Sequence, residues 1–453
     1  SLLDEWKCSQ SVKGTDVFSS GSGLVRHEWL SRCRKERALT QDLMSAVADL
    51  KNLETALRKV ISNKGSAGTD GMNVQELKVW FNHHYRELQS QLMSGTYRVT
   101  AVKEVQIPKA SGGYRQLGIP TVKDRLVQQA LSQVLSKRYE PTFSDHSYGF
   151  RPNRNAHQAL LKAGEYVASG KNWVVDIDLA KFFDEVNHDR LLWMLSTRIG
   201  DKRVLKLIGR FLRAGLMREG MVSQRVKGTP QGSPLSPLLS NIVLDELDKE
   251  LERRGHSFVR YADDMIILVG SELSAERVMK SLTLFIEGRM QLKINRGKSR
   301  IVRPRELNFL GHSILMNGDL GLSKESERRF KRKLKQLTKR NRGISFEQLI
   351  KELNPVLRGW HNYFKHAKMK GRLYKLAGWL RRRLRCYRLK QCKRALGIAK
   401  FLTKLGVPWN RSWTTAGSSK GWYRLSKTHA SHEGMNLDWF KKTGLYSLTA
   451  IYG

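Results

Sequence analysis

Phe258-Val259, Arg260-Tyr261-Ala262-Asp263-Asp264 and Met265-Ile266-Ile267-Leu268-Val269 form the stretch on which the reading of this chain turns. Apolar β-formers on both sides of a short acidic pair predict a strand, a tight turn and a second strand, with the two carboxylates at the hairpin tip. Oxygen ligands held rigidly in this way suit a hard cation such as Mg²⁺. Standing alone, an Asp-Asp pair in a hairpin reads more readily as a solvated turn. The residues around it decide.

Upstream, Trp173-Val174-Val175-Asp176-Ile177-Asp178-Leu179 predicts a buried strand ending in acid, and Lys181-Phe182-Phe183-Asp184 turns from it into a helix. Gly228-Thr229-Pro230-Gln231-Gly232-Ser233-Pro234-Leu235-Ser236-Pro237 predicts a rigid loop before an apolar helix over Leu238 to Leu251. Aspartates on separate strands meet the need of nucleotidyl transfer, in which oxygen ligands hold two cations roughly 4 Å apart.

Composition supports a polyanionic partner. The 453 residues allow about three domains of ordinary size, and 40% hydrophobic content is globular. Lys and Arg number 82 against 41 Asp and Glu, a formal net charge of +41, far beyond what solubility requires. The excess is uneven: residues 321–400 carry 26 Lys and Arg against four Asp and Glu. An anionic membrane would suit the same charge, yet no apolar run approaches the ~20 residues of a spanning helix and no signal-type segment opens the chain. The chain reads as cytosolic. Cys8, Cys33, Cys386 and Cys392 lack CxxC spacing and histidines at zinc-site offsets, so neither a disulfide framework nor structural zinc is expected.

Along the chain, residues 1–40 read as a loosely ordered leader. Apolar residues at helical spacing from Leu43 to Ile61 predict one helix, broken by the small-residue loop Asn63 to Gly71. Helices over Val74 to Leu92 and Lys123 to Leu135 enclose a strand pair, Val99 to Pro108 and Gln116 to Ile119, that turns at Ser111-Gly112-Gly113. Beyond Leu322 come three helical patterns with basic complementary faces. The expected divisions are 1–40, the leader; 41–140 and 141–318, of mixed helix and strand; 319–395, basic and helical; and 396–453, a small appendage.

Taken in order, DIDLAKFFDEV, GTPQGSPLSP, RYADD, LKINRGKS and FLGHSI resemble the reverse transcriptases, specifically the bacterial group II intron maturase branch. The resemblance extends upstream to NKGSAGTDGM, IPKASGGYRQLGIPTVKDR and SYGFRPNRNAHQAL and downstream into the basic helices, covering about 45 to 450. It implies an α+β right-hand polymerase with fingers, palm and helical thumb, followed by a basic helical maturase and DNA-binding extension. It also implies RNA-directed DNA polymerase activity, with two Mg²⁺ ions that Mn²⁺ can replace. Implied partners are intron RNA or an RNA template, a DNA primer or target DNA, and dNTPs; no membrane is implied, and oligomeric state stays open. The expected location is the bacterial cytoplasm. An HNH endonuclease is not expected, because no cysteine follows Cys392 and the ~50 residues after Leu405 are too few for one.

Carried over residue by residue, the resemblance implies Asp178, Asp263 and Asp264 as the catalytic carboxylates, with Asp178 and Asp263 as direct metal ligands and the Leu179 carbonyl completing a shell. Lys109 and Arg115 match triphosphate contacts, as a point cation and a fork. Phe183 matches the gate against a ribose 2′-hydroxyl, and is otherwise a core aromatic. Gln231 with Gly232 matches residues packed on the nucleotide, and Lys298 a lysine that protonates pyrophosphate. Phe309 and Gly311 match the primer grip; Arg151 and Arg154 are the template contacts. Arg358, Arg381, Arg382 and Arg383 lie in the helices that would bind intron RNA, or else form a solvated basic face. Two rivals stand beside this reading: a splicing cofactor with a dispensable polymerase site, and a domesticated enzyme working without an intron.

Overall fold

The computed structural model describes residues 40–108, 114–218, 221–223, 227–228 and 232–450. The expected leader over 1–40 therefore lies, but for Thr40, outside the described residues. Ten strands are found among the described residues: β1 (Val102–Pro108), β2 (Tyr114–Ile119), β3 (Trp173–Ile177), β4 (Leu216–Arg218), β5 (Met221–Ser223), β6 (Ser257–Tyr261), β7 (Asp264–Val269), β8 (Arg300–Val302), β9 (His312–Ile314) and β10 (Leu320–Leu322). The remaining elements are mainly helical, so the chain is mixed α and β, as expected.

The chain divides into two compact units. The first takes in the residues up to Pro152, then Asp178–Arg253 and Thr283–Asn295. Its sheet has the order β2-β1-β4-β5. β1 and β2 pair antiparallel from Lys103 opposite Ile119 to Pro108 opposite Tyr114, close to the expected strand pair. The parallel neighbour β4 was not anticipated. The helix expected over 43–61 is two, Leu43–Ala48 and Leu50–Ser62, because Asp49 takes extended ψ (135°) and its carboxylate caps the second helix at the Asn52 N–H. The helix Val74–Ser94 opens with a reciprocal cap between Asn73 and Glu76 and closes on Gly95 at φ +71°.

The upstream motifs meet by packing. Arg125 donates from Nη2 to the Ser66 carbonyl at 2.5 Å, and a Cβ on Gly68 would stand 2.6 Å from Thr121 Cα. Only glycine lets the 63–71 loop lie against the start of the helix Val122–Tyr139. Asp124 on that helix is buried, accepts from the Tyr97 hydroxyl at 2.8 Å and the Thr100 N–H at 3.0 Å, and is raised above the usual carboxylate range by burial.

The second unit holds Asn153–Ile177, Arg254–Leu282 and the residues from Arg296 onward. Its main sheet has the order β6-β7-β3-β8, all antiparallel. Val174, Val175, Ile177, Phe258, Val259, Ile266, Ile267 and Leu268 are each at most 1% exposed, which is why these strands read as continuous apolar runs. Three helices, Lys324–Leu337, Phe346–Tyr363 and Lys370–Gln391, occupy the predicted helical region. One buried core runs from Leu322 to Leu448, so the residues after 395 pack their apolar side chains into the same core as the preceding helices. Among the described residues no helix is long and apolar enough to cross a membrane.

Candidate active site

The acidic pair lies on the expected hairpin. Tyr261 pairs with Asp264, leaving Ala262-Asp263 as a two-residue loop. Ala262 has φ +59° and Asp263 stays out of the left-handed region, the pattern of a type II′ turn. A non-glycine residue there costs about 1–3 kcal/mol and persists only where its surroundings determine it. Arg260 supplies that determination: it is 0% exposed, and its Nη1 donates to the Ala262 carbonyl at 2.8 Å. Asp264 is exposed and Asp263 half-buried.

In the same sheet, Ile177 at the end of β3 faces Met265 near the start of β7. Asp178 is the next residue. Its carbonyl accepts from the Asn295 N–H at 2.8 Å, and the Ala180 N–H donates to the Lys293 carbonyl at 2.7 Å. Alternation along this short antiparallel bridge turns both backbone polar groups of Leu179 away from residues 293–295. Asp176 is separated from this role, since it faces Arg300 of β8 with Oδ2 3.4 Å from Nε. Among the described residues no group of three or more His, Cys, Asp or Glu side chains is gathered at metal-holding distance. The two carboxylates at the hairpin tip are oxygen donors of the kind Mg²⁺ takes, one or two at a time, with water and substrate phosphate completing its shell.

The nucleotide-binding candidates fall mostly in the first unit. Phe183 is half-buried, with its ring edge-on to Phe182 at 5.4 Å; Phe182, 2% exposed, takes the core position. Gly228 lies directly on this aromatic pair's backbone at φ +87°, and a Cβ there would stand 2.6 Å from the Phe183 carbonyl oxygen. Its N–H donates to the Val186 carbonyl at 2.8 Å and its carbonyl accepts from His188 Nε2 at 2.6 Å. Gly232, at φ +103°, would bring a Cβ 3.3 Å from the Gly118 carbonyl of β2, the strand that carries Arg115 opposite Ile107. Ser233 and Gln128 share a buried hydrogen bond beside this loop. Sequence reasoning passed over Gln128 and His188, because a polar residue on a helix gives no sign of burial. Lys109 and Gln231 lie outside the described residues. In the second unit, Lys298 is exposed on the turn 296–298 before β8.

The FLGH segment is a second strained hairpin. Phe309 and His312 exchange backbone hydrogen bonds of 3.0 and 2.9 Å around Leu310 (φ +49°) and Gly311 (φ +79°), the type I′ pattern. The Tyr363 hydroxyl donates to the Leu310 carbonyl at 2.9 Å. A Cβ on Gly311 would stand 2.7 Å from Ser326 Oγ.

His312 is fully buried, donates from Nδ1 to the Leu310 carbonyl at 3.0 Å, and its Nε2 has no hydrogen-bond partner among the described residues. Burial outweighs that hydrogen bond, and with smaller contributions from His157 and His366 it depresses the imidazole to about 4. The folded state therefore takes up the proton later than the unfolded chain. His312 contributes full stability above pH 6.5, and the contribution is lost as pH falls toward 4. Between pH 7 and pH 4.5, urea unfolding of the wild type should lose about 2–3 kcal/mol more than that of His312→Gln; equal losses would refute the assignment.

Arg151, expected at the template, braces the loop that carries it. It is 8% exposed and donates from Nε to Glu140 at 2.9 Å and from Nη1 to the Ser144 and Ser147 carbonyls at 2.5 and 2.8 Å. Arg154, beyond the loop, is half-buried.

Residues 107–314, which include every element just described from β2 to the FLGH hairpin, match the family Reverse transcriptase (RNA-dependent DNA polymerase), and residues 327–406 match the Group II intron, maturase-specific domain. Protein YkfC of Escherichia coli (strain K12) is 31% identical over 316 residues, covering 61% of this chain and 83% of the relative. The chain belongs to the group II intron reverse transcriptases. Group II intron-encoded protein LtrA of Lactococcus lactis subsp. cremoris is 30% identical over 325 residues, 57% of this chain and 54% of LtrA, so the chain spans about half the length of that relative.

In the maturase-specific region of this reverse transcriptase, Arg358 is exposed with its guanidinium 5.5 Å from the Tyr446 ring centroid. Arg382 donates to the Tyr423 hydroxyl at 3.3 Å, and Arg383 donates to Thr338 Oγ1 at 2.6 Å. Burial lowers the Arg381 and Arg383 guanidinium pKa values from the ordinary arginine range. Arg385 beside them is buried, bound twice to the Met435 carbonyl, and held to about 10 by burial and by Arg381 and Arg382.

Proposed function

We propose that the chain is the reverse transcriptase and maturase of a bacterial group II intron, acting in the cytoplasm, copying RNA into cDNA by two-metal nucleotidyl transfer and binding its intron RNA to assist splicing and mobility. The observation that carries this reading is the Asp263-Asp264 hairpin tip on a strand paired with β3, the strand that Asp178 follows. Asp178, Asp263, Asp264 and the Leu179 carbonyl would hold the two Mg²⁺ ions, for which Mn²⁺ can substitute. When bound, these ions neutralise the triphosphate and make the primer 3′-hydroxyl more acidic.

The chain's own residues do the rest. Lys109 and Arg115 bind the triphosphate, Gln231 and Gly232 pack on the nucleotide, and Lys298 delivers a proton to the departing pyrophosphate. Phe309 and Gly311 hold the primer end, and Arg154 the template, with Arg151 keeping that loop in place from within. Arg358, Arg381, Arg382 and Arg383 contact intron RNA. In this reading residues 41–140 and 141–318 form the fingers and palm, 319–395 the thumb and maturase region, and 396–453 a nucleic-acid-binding extension.

The test is extension of oligo(dT) on poly(rA) with dTTP and Mg²⁺. Synthesis that stops with EDTA is the expected result; no synthesis by a protein that still binds RNA would reduce the function to splicing assistance. Phe183 gives a sharper check on the site. In this reading its half-buried ring is what a ribose 2′-hydroxyl would collide with. Phe183→Val should raise ribonucleotide incorporation relative to deoxyribonucleotide by about tenfold or more, measured by competing rUTP against dTTP. An unchanged ratio would make Phe183 a packing residue.

A further inference from the structure

Two cavities within the second unit share a wall, the half-buried indole of Trp379. The first, about 510 Å³, is lined by Lys339, Arg340, Arg382, Arg383, Lys390 and the ring of Tyr423, among others. The second, about 440 Å³, is lined by Arg328, Lys331, Arg332 and Lys335. No carboxylate lines either. Lys331 has an ion pair with Glu327 at 2.7 Å, which leaves the cationic excess large.

The fold builds this concentration of charge deliberately. Thr338, just past the helix Lys324–Leu337, accepts from Arg383 Nε at 2.6 Å, and Lys390 Nζ donates to the Arg340 carbonyl at 3.2 Å. These contacts pin the 338–341 turn to the helix Lys370–Gln391 and fix Lys339 and Arg340 at the rim. The aromatic surfaces are equally placed: Arg383 lies 5.5 Å from the Trp379 ring centroid, and Arg382 and Lys427 lie 5.7 and 4.4 Å from that of Tyr423. A merely solvated basic face would spread its cations outward and would have no reason to gather them into concavities around an indole. Each cavity falls within the range of about 300–1,000 Å³ typical of sites for small molecules and bases.

We propose that Trp379 divides a site for two consecutive unpaired nucleotides of RNA, one base in each cavity, with their phosphates on Lys339 and Arg340 on one side and Arg328 and Arg332 on the other. The proposal rests on the reading of residues 319–395 as the RNA-binding maturase region. Stacking on an aromatic ring beside phosphate-binding cations is how unpaired strands are held without a duplex. A duplex keeps its bases inside and cannot enter. Asn341, which lines the first cavity, offers an amide able to both donate to and accept from a ribose 2′-hydroxyl, the group that separates RNA from DNA.

The experiment uses the full chain and a labelled 12-nucleotide unstructured RNA carrying 5-iodouridine. Ultraviolet crosslinks should map to Trp379 or Tyr423, and Trp379→Ala should weaken binding of the RNA about tenfold, with Trp379→Phe restoring most of it. Both variants should melt at the wild-type temperature, so that lost binding reports the site and not the fold. Unchanged affinity in Trp379→Ala, equal competition by duplex RNA, or equal binding of the same sequence as single-stranded DNA would each overturn the site. A wild type that binds no RNA at all would instead overturn the maturase reading on which it rests.

Discussion

Asp263→Asn is expected to abolish cDNA synthesis, by at least about 10³-fold, while RNA binding and assistance to splicing survive. The substitution keeps the shape of the side chain and removes the anionic oxygen. A hard cation gains several kcal/mol from such an oxygen, and each 1.4 kcal/mol is a factor of ten in rate. The turn itself should tolerate asparagine, since Asp263 is outside the left-handed region and β6 and β7 remain paired through Tyr261 and Asp264. Primer extension on poly(rA), filter binding of RNA and a splicing assay on one preparation would check all three claims. Synthesis within tenfold of the wild type would remove Asp263 from the metal site; loss of splicing in step with synthesis would mean that the two activities share more than a chain.

Much of this arrangement was legible before any coordinates. The β6–β7 hairpin and β3 were readable because buried central strands leave uninterrupted runs of β-forming apolar residues, here Val174-Val175 and Ile266-Ile267-Leu268. The long helices after Leu322 were readable because their apolar residues recur at helical spacing. The break at Asp49 was not, since the spacing of Leu43, Val47, Leu50 and Leu53 passes smoothly through it and only the backbone of one residue turns away. β4 has three residues and pairs with a strand more than a hundred positions earlier. No local pattern announces such a partner.

Charge was the least divisible signal. The sequence presents 82 cations, and their number points correctly to a polyanion, but composition treats each as outward-facing. Arg151, Arg260 and Arg385 are 8%, 0% and 6% exposed, with carbonyl oxygens among their partners. A buried guanidinium is tolerable only when its donors are matched. These three therefore brace loops and helices, and the count of cations facing nucleic acid is smaller than the formal charge suggests.

Arg260 yields the second large effect. Arg260→Met should destabilise the protein by about 1–3 kcal/mol, the cost of leaving the buried Ala262 carbonyl without this donor. It should also lower the rate of synthesis per folded molecule by about 10²-fold, because displacement of a reacting group by an ångström has that scale of consequence. The second effect distinguishes a positioning residue from one that only fills the core: if Arg260 merely stabilises the fold, the folded fraction of Arg260→Met will polymerise at the wild-type rate. Ala262→Gly separates strain from geometry. Glycine adopts φ near +60° without penalty, so in the wild-type background it should add up to about 1 kcal/mol of stability, and in the Arg260→Met background it should recover stability without recovering the rate. Recovery of both would show that the turn needs only relief from strain, and that the carboxylates find their place without the arginine beneath them.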